Sequence, residues 1–432
     1  MAAVEVVSLD VRRNYLPDTW PLWLAFGGIP LWFVLGLGAF IWPLLALPMV
    51  LRLLVSRPVR VPPMFGVWTL FLLWACLSGF QLDRASRLLS FSYRLSLYLS
   101  ATVILLYVYN LARDRRDAVV GIMGVFFLII VAGGWLGLLL PRFNFATFGQ
   151  SVMPRGLLQN SWVFQLVHAR FAQVQELIYG QGSVARPSVP FAYTNEWGAN
   201  LALSLPFAMA VARSKTHRWR WIATIGIAAA IPPLVLSGNR GAWVSVAVIV
   251  LYGAFRLAVR GRVGLLTALV AVGLFALPLF ADSSLFGLLQ QRAAHPGSNK
   301  ARVSLYQQAG EGAARSPLFG YGAPRNTTAK TSAPAVGTHG QLWTVLFSNG
   351  VPGALFFVSF FALVFWRTRH SPTETDLWIH AALLVTMLQW AYYDALPSQL
   401  QVSMVAAGLA CAALSGRQDM APREVAAAHG VA

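Results

Sequence analysis

Long apolar runs recur along nearly the whole chain and are separated by short clusters of basic residues. A helix of about 20 apolar residues crosses the hydrocarbon core of a bilayer. The pattern therefore predicts an all-α polytopic membrane protein with about twelve transmembrane helices. The candidate spans are 20–36, 38–55, 64–81, 88–109, 118–140, 192–212, 221–237, 242–259, 263–281, 341–366, 376–395 and 399–415.

Positive charge alternates from one side of these spans to the other, and this alternation predicts their orientation. Short cytoplasmic loops of membrane proteins collect Lys and Arg. With twelve spans, the clusters at 52–60, 113–116, 213–220, 256–262 and 367–369 all lie on one side, together with both termini. We therefore expect both termini to be cytoplasmic. Nineteen of the 33 Lys and Arg residues then lie inside, and 14 lie outside or at an outer helix end.

The same pattern divides the chain into six segments. They are helices one to five in 1–140, an outer loop in 141–191, helices six to nine in 192–281, a large outer loop in 282–340, helices ten to twelve in 341–415, and a cytoplasmic tail in 416–432.

Both outer loops contain candidate helices. In the first, apolar residues recur at helical spacing over 157–179, which predicts an interfacial helix with His168 on another face. In the second, 284–294 is similarly amphipathic, 302–314 is predicted to be a short helix, and 317–322 is predicted to be a turn.

Composition agrees with a membrane protein and narrows the range of partners. The chain is 57% hydrophobic and only 11% charged, whereas soluble domains carry about 25% charged residues. Its net charge of +18 is of the kind that nucleic-acid-binding proteins carry. The charge lies in short clusters between apolar runs, however, so we expect membrane lipids or lipid-linked phosphates and no nucleic acid.

Three outer arginines are candidates for binding an anionic substrate. Arg240 lies in a Ser-Gly-Asn-Arg-Gly-Ala-Trp turn between two spans, where a planar guanidinium suits a phosphate. Arg186 precedes a span that contains Asn195 and Glu196, and such polar residues usually face a cavity or the bundle interior. Arg302 begins an Arg-Val-Ser-Leu-Tyr-Gln segment. The structural alternatives are a helix cap, a pre-helix proline turn and a solvated loop charge.

His339 lies directly before the span that begins near Gln341, on the side of the surplus arginines. A single histidine is usually structural or merely exposed. Imidazole is nevertheless a suitable general base near neutral pH, and neighbouring guanidinium groups disfavour its charged form. This position makes His339 the candidate base.

The outer side offers few carboxylates, among them Asp83, Glu196 and Asp394. It has no Asp-x-Asp pair and no His/carboxylate cluster that would bind a divalent metal. No Walker loop or dinucleotide fingerprint is present either. We therefore expect no metal or other cofactor, and we expect arginine to neutralise the negative charge of a substrate.

Together, these motifs resemble those of the O-antigen ligase/polymerase family of bacterial envelope glycosyltransferases. The resemblance covers about residues 186–353. It rests on the Arg-Pro before a polar span, the turn around Arg240, the Arg302-to-Tyr306 segment, the 317–322 turn, and His339 before a Gly350-x-x-Gly353 helix. Each motif is short, and their order and spacing against the predicted topology make the combination specific.

The resemblance implies a C-type glycosyltransferase fold in the bacterial inner membrane, with both outer loops in the periplasm. It implies an O-antigen ligase-type enzyme that moves a glycan from undecaprenyl pyrophosphate to an acceptor hydroxyl, on lipid A-core of lipopolysaccharide or a similar lipid-anchored acceptor. Neither a metal nor a nucleotide sugar takes part, and a single displacement inverts the anomeric centre.

Residue roles follow from the resemblance in the same way. Arg186, Arg240 and Arg302 would bind the pyrophosphate, and His339 would take the proton from the acceptor hydroxyl. Members often have Asn after this histidine, where this chain has Gly340, and this departure leaves the acceptor open. The further candidate site residues are Asn195, Glu196, Tyr306 and His168.

Three other functions stay open. The first is a polymerase of the same family, which extends one lipid-linked glycan with another. The second is a transferase that uses Asp83 as its base and a polyprenyl monophosphate sugar as its donor. The third is a transporter of lipid-linked glycans, in which His339 has no catalytic role. A transporter predicts charged residues near mid-membrane, for which Arg94 is the main candidate.

Overall fold

Helices account for most of the structure, a computed structural model that describes residues 16–55, 58–176, 183–213, 216–271, 297–325 and 335–428. The first helices are α1 (Trp20–Leu22), α2 (Ile29–Val34), α3 (Trp42–Val55), α4 (Phe65–Ser78) and α5 (Ser86–Leu139), with a π-helical turn at Trp23–Gly27.

An outer segment with short helices and strands follows, and the second half returns to long helices. The outer segment contains β1 (Asn144–Ala146), α6 (Phe148–Val152), α7 (Arg155–Leu158), α8 (Ser161–Val167), β2 (His168–Arg170), β3 (Ala172–Glu176) and β4 (Ser183–Pro187). The later helices are α9 (Thr194–Val211), α10 (His217–Leu236), α11 (Arg240–Ala258), α12 (264–271), α13 (Gly297–Arg315), α14 (Gln341–Thr368), α15 (Glu374–Gln389) and α16 (Gln399–Ala428).

Five of the described helices are long and apolar enough to cross a membrane, namely α5, α10, α11, α14 and the first part of α16. The apolar helices α3 and α4 are shorter. A helical membrane protein is thereby confirmed, whereas the count of twelve spans and their orientation stay predictions. Helices α9 and α15 are less apolar because they pack inside the bundle, where Asn200, Ser204 and Gln389 are buried.

A bend at Arg115 divides α5 into the two predicted spans 88–109 and 118–140. A straight helix of 54 residues would be about 80 Å long, more than twice the hydrocarbon thickness of about 30 Å. Arg115 leaves the helical region, with φ −127° and ψ 31°. The next residue, Arg116, forms an ion pair with Asp376 of α15, which holds the bend against the bundle.

The outer segment corrects one prediction. The interfacial helix predicted over 157–179 is wrong over 168–176, because α8 ends at Val167 and β2 and β3 follow, and residues 177–179 lie outside the described residues. Strand β3 pairs antiparallel with β4, so its backbone groups find partners in a later strand rather than within a helix. Apolar spacing could not reveal that partner. The predicted helix 284–294 lies outside the described residues, and the predicted helix 302–314 is confirmed within α13.

Helix α14 is interrupted at Gly350, where the turn that follows α13 docks against it. Gly350 has φ +69° and ψ −173°, which frees the preceding carbonyls from the helical pattern. The carbonyl of Phe347 accepts from the Tyr321 N–H at 3.1 Å, and the carbonyl of Ser348 accepts from the Gly322 N–H at 2.8 Å. The 317–322 turn therefore hydrogen-bonds to the backbone of α14 directly before the Gly350-x-x-Gly353 motif.

Replacing Gly350 with alanine should destabilise the protein. Such a backbone conformation costs a residue with a side chain about 1–3 kcal/mol. A Cβ would also lie 2.3 Å from the Leu318 carbonyl oxygen. We expect this variant to have a lower midpoint of thermal unfolding than the wild type. The midpoint would be measured by tryptophan fluorescence of the protein in nanodiscs.

The matched control is Gly66→Ala, since Gly66 lies in α4 with no atom near its added Cβ. Alanine is the better helix former by about 1 kcal/mol, so this variant should unfold no earlier than the wild type. An unchanged midpoint for Gly350→Ala would show that the break tolerates a side chain.

Candidate active site

The N-terminal ends of α9, α11 and α14 meet the turn between α15 and α16 at one end of the bundle. The Gln341 N–H donates to the Tyr393 carbonyl of that turn at 2.7 Å. Gly340, at φ +82°, permits this approach, because a Cβ there would lie 2.9 Å from the carbonyl oxygens of Trp390 and Ala391. The close packing of Gly340 against the turn between α15 and α16 therefore explains why a glycine follows His339.

The hydrogen bonds of Thr338 determine which nitrogen of His339 carries the proton. The Thr338 hydroxyl donates to the Ala335 carbonyl at 2.6 Å, so its oxygen is left to accept. His339 Nδ1 lies 3.1 Å from that oxygen and donates to it in the neutral ring. The Nε2 lone pair is then available to take a proton, and no hydrogen bond to Nε2 is seen within the described part of the chain.

Two charged residues act on His339 in opposite directions. Burial and the positive charge of Arg302 lower the pKa of His339 from its ordinary value, while the carboxylate of Asp394 raises it. The net shift is downward, so His339 is neutral at neutral pH. The half-buried imidazole is thus held in the protonation state that a general base requires.

Arg302 is held in place through the helix that carries it. One turn further along α13, Tyr306 stacks on Trp343 of α14, with ring centroids 5.1 Å apart and an interplanar angle of 15°. A small apolar cluster of Ala309, Val336 and Phe347 lies behind this pair. The middle of α13 is therefore packed against the first two turns of α14, the helix that His339 precedes.

Arg186 reaches the same end of the bundle from β4. It stands opposite Gln173 of β3, and its Nε donates to the Ser237 carbonyl at the end of α10 at 2.9 Å. The Thr194 hydroxyl donates to the Arg186 carbonyl at 3.1 Å. These contacts fix Arg186 beside the turn that carries Arg240.

Arg240 is the first residue of α11 and is exposed at this end. The residue before it, Asn239, is buried and caps the helix by accepting from the Ala242 N–H at 3.4 Å. Asn239 also donates to the Thr194 carbonyl at 3.1 Å and accepts from the Tyr393 hydroxyl. The partial positive charge of a helix start favours an anion nearby.

Tyr393 is related to each of the three arginines in a different way. The charges of Arg186 and Arg302 both act on its hydroxyl, and the same hydroxyl donates to Asn239, the residue before Arg240. Arg302 also acts electrostatically on His339. Their chemical roles stay predictions.

The remaining candidates are more dispersed. Tyr306 lies in the site through its stack on Trp343, and Asn195 is half-buried at the start of α9. Glu196 accepts from the Ser398 hydroxyl at 2.9 Å, which joins α9 to α16. It also lines a pocket together with His168.

His168 has a structural explanation. Its Nδ1 lies 2.9 Å from the Gln150 side-chain oxygen, its Nε2 lies 3.2 Å from that of Asn144, and its ring stacks on Phe164. Both nitrogens are therefore engaged in holding the outer segment together.

Part of the candidate site lies in a segment that matches a known protein family. Residues 225–358 match the family model of O-antigen ligase. Over these residues the chain is similar to the O-antigen ligase family. The O-antigen ligase match begins inside α10 and ends inside α14, so it contains Arg240, Arg302 and His339, whereas Arg186 and Asp394 lie outside it. No curated protein matches the chain.

Sequence reasoning missed an ion pair that borders the O-antigen ligase match. Arg94 of α5 lies 3.6 Å from Asp394, the carboxylate that acts on His339. Each was singled out alone, Arg94 as a mid-membrane charge and Asp394 as an outer carboxylate. The available signal was that opposite charges in apolar segments usually pair.

No group of three or more His, Cys, Asp and Glu side chains that could hold a metal ion occurs in the part of the chain that the structure describes.

Proposed function

We propose that this protein transfers a glycan from undecaprenyl pyrophosphate to an acceptor hydroxyl at the periplasmic face of the inner membrane. The acceptor is lipid A-core of lipopolysaccharide or a similar lipid-anchored glycan. The coarser statement, a membrane protein with an O-antigen ligase domain, follows from its helices and the family match. The observation that carries the finer proposal is the position of His339, whose Nδ1 lies 3.1 Å from the Thr338 hydroxyl and whose pKa is lowered by burial and by Arg302.

The reaction is a single displacement. His339 Nε2 takes the proton of the acceptor hydroxyl as the oxygen attacks the anomeric carbon of the donor sugar. The bond from that carbon to the pyrophosphate oxygen breaks, and its electron pair leaves with the phosphate. Attack opposite the leaving group inverts the anomeric centre. The proton on His339 later passes to solvent or to the released pyrophosphate.

The arginines act on the leaving group. Phosphate oxygens gain negative charge as the bond breaks, and fixed positive groups stabilise that charge most in the transition state. Arg186, Arg240 and Arg302 would supply such groups, and the start of α11 would add backbone N–H donors. The electrostatic action of Arg186 and Arg302 on Tyr393, and the hydrogen bond from Tyr393 to the residue before Arg240, support this proposal.

The experiment uses the purified full-length protein in nanodiscs. A defined undecaprenyl-pyrophosphate glycan is incubated with a lipid A-core acceptor, in the presence and absence of EDTA. We expect one new glycosidic bond of inverted configuration in both cases. A ladder of longer lipid-linked glycans would instead indicate a polymerase. Movement of the glycan across the bilayer without a new bond would indicate a transporter.

Asp83 is a poor alternative base, and its replacement should leave transfer intact. Its carboxylate pairs with Arg87 at 2.6 Å and with Arg325 at 3.8 Å, and the hydrogen bond from Arg87 lowers the pKa of Asp83. A carboxylate of low pKa is a weak proton acceptor. We therefore expect Asp83→Asn to keep the transfer rate within about twofold in the same assay. Loss of transfer in this variant, with an active His339→Ala, would reverse the assignment.

A further inference from the structure

The bundle carries a second concentration of arginines at the end opposite to the candidate site. We call Arg256, Arg260, Arg262 and Arg369 the distal arginine cluster. Helix α11 begins at the candidate site and its last turn carries Arg256. Its 19 residues extend about 28 Å, close to the hydrocarbon thickness of about 30 Å. In a bilayer that α11 crosses, the cluster would therefore lie at the depth of the lipid phosphates of the leaflet opposite to the candidate site.

Backbone carbonyls of the loop between α14 and α15 orient two members of the cluster. Arg256 donates to the Arg369 carbonyl and to the Tyr252 hydroxyl, and Arg260 donates to the Ser371 carbonyl. These acceptors are neutral. They fix the positions of the guanidinium groups without neutralising their charge.

The nearby carboxylates already have arginine partners, only one of which belongs to the cluster. Glu374 pairs with Arg262 and, at 3.3 Å, with Arg213. Asp376 pairs with Arg116. Burial and the charges of Arg256 and Arg262 lower the pKa of Arg260, with Asp376 opposing them. The cluster thus has an excess of positive charge that an anion would relieve.

A stripe of exposed apolar side chains runs beside the arginines on the same helix. The stripe contains one apolar residue in every fourth position, namely Leu251 and Phe255 of α11 and Val259 directly after it. Their side chains are 59%, 63% and 72% exposed, respectively. Trp366 is exposed as well, and the Arg369 guanidinium lies over its ring. An occupant therefore needs an anionic group at the arginines and apolar chains along α11.

We propose that the distal arginine cluster binds the phosphodiester of an anionic glycerophospholipid whose acyl chains lie along α11. Guanidinium groups match phosphate oxygens in geometry and charge, and basic pockets between membrane helices bind lipid head groups in this way. Inorganic phosphate would satisfy the arginines but not the apolar stripe. This site is separate from the proposed transferase site and does not depend on its chemistry.

The test titrates the full-length protein in neutral detergent with phosphatidylglycerol or phosphatidylcholine and follows bound lipid by native mass spectrometry. We expect phosphatidylglycerol to bind more tightly, and we expect salt to reduce the difference. The Arg256→Gln/Arg260→Gln variant should bind phosphatidylglycerol roughly thirtyfold more weakly, since each arginine near the surface contributes about 1 kcal/mol. Should that variant fail to fold, Arg260→Gln alone, at an exposed position, should weaken binding roughly fivefold.

The matched control is Arg218→Gln, which removes an exposed arginine from the start of α10 at the same end of the bundle. It should leave the lipid preference unchanged. An equal loss in this control would mean that net charge alone attracts the lipid, and an unchanged preference in the cluster variants would exclude the site. Displacement of phosphatidylglycerol by an equal concentration of inorganic phosphate would also overturn the proposal.

Discussion

Replacing His339 with alanine should lower the rate of glycan transfer by about 10²–10⁴-fold. The variant loses the only proposed proton acceptor, so the acceptor oxygen must attack with its proton still bound. The loss should appear in kcat, because the ring is expected to act in the transition state rather than in binding. Single-turnover transfer from a labelled undecaprenyl-pyrophosphate glycan in nanodiscs would measure it directly.

The matched control is His217→Ala. His217 is exposed at the start of α10, where it contacts Arg220 and Trp221, at the other end of that helix from Ser237 and the site. This variant should transfer at the wild-type rate. If both histidine variants kept that rate, the proposed base would be wrong even though the family match would stand.

Replacing Arg302 with glutamine should produce two separable effects. Loss of a fixed positive group at the leaving phosphate should lower kcat/KM by about 10²–10³-fold. The pH profile should also shift. Arg302 lowers the pKa of His339, so its removal raises that pKa. Because activity requires the neutral ring, the rise of rate with increasing pH should then occur at higher pH.

Two further variants give this prediction its controls. Arg302→Lys keeps the charge, so it should preserve most of the pH profile while losing the paired donors that a guanidinium offers a phosphate. Asp394→Asn removes a charge that raises the pKa of His339, so the rise of rate should move to lower pH. Shifts in the same direction for Arg302→Gln and Asp394→Asn would contradict the electrostatic account.

Local signals in the sequence predicted much of this arrangement. Apolar runs predicted the helices, because burial in lipid requires about 20 apolar residues in a row. A basic side chain next to a helix start singled out Arg240 and His339 without any knowledge of their neighbours. The sequence did not predict the pairing of β3 with β4 or the Arg94–Asp394 ion pair, because each depends on contact between segments that are separated in the chain. Helical spacing also misled over 168–176, where alternation fits a strand equally well.

Helix α11 sets a fixed distance between the two sites for which we propose phosphate-containing ligands. Arg240 stands at its start and Arg256 in its last turn, and a helix neither stretches nor shortens to suit its surroundings. The hydrocarbon thickness of the bilayer must therefore match the length of α11. A bilayer thicker than about 28 Å would draw one end below the head groups, and the adjustment costs a fraction of a kcal/mol per Å of mismatch. With both proposed sites occupied, the thickness of the host membrane would determine whether the glycan donor and the phospholipid are held at the same time.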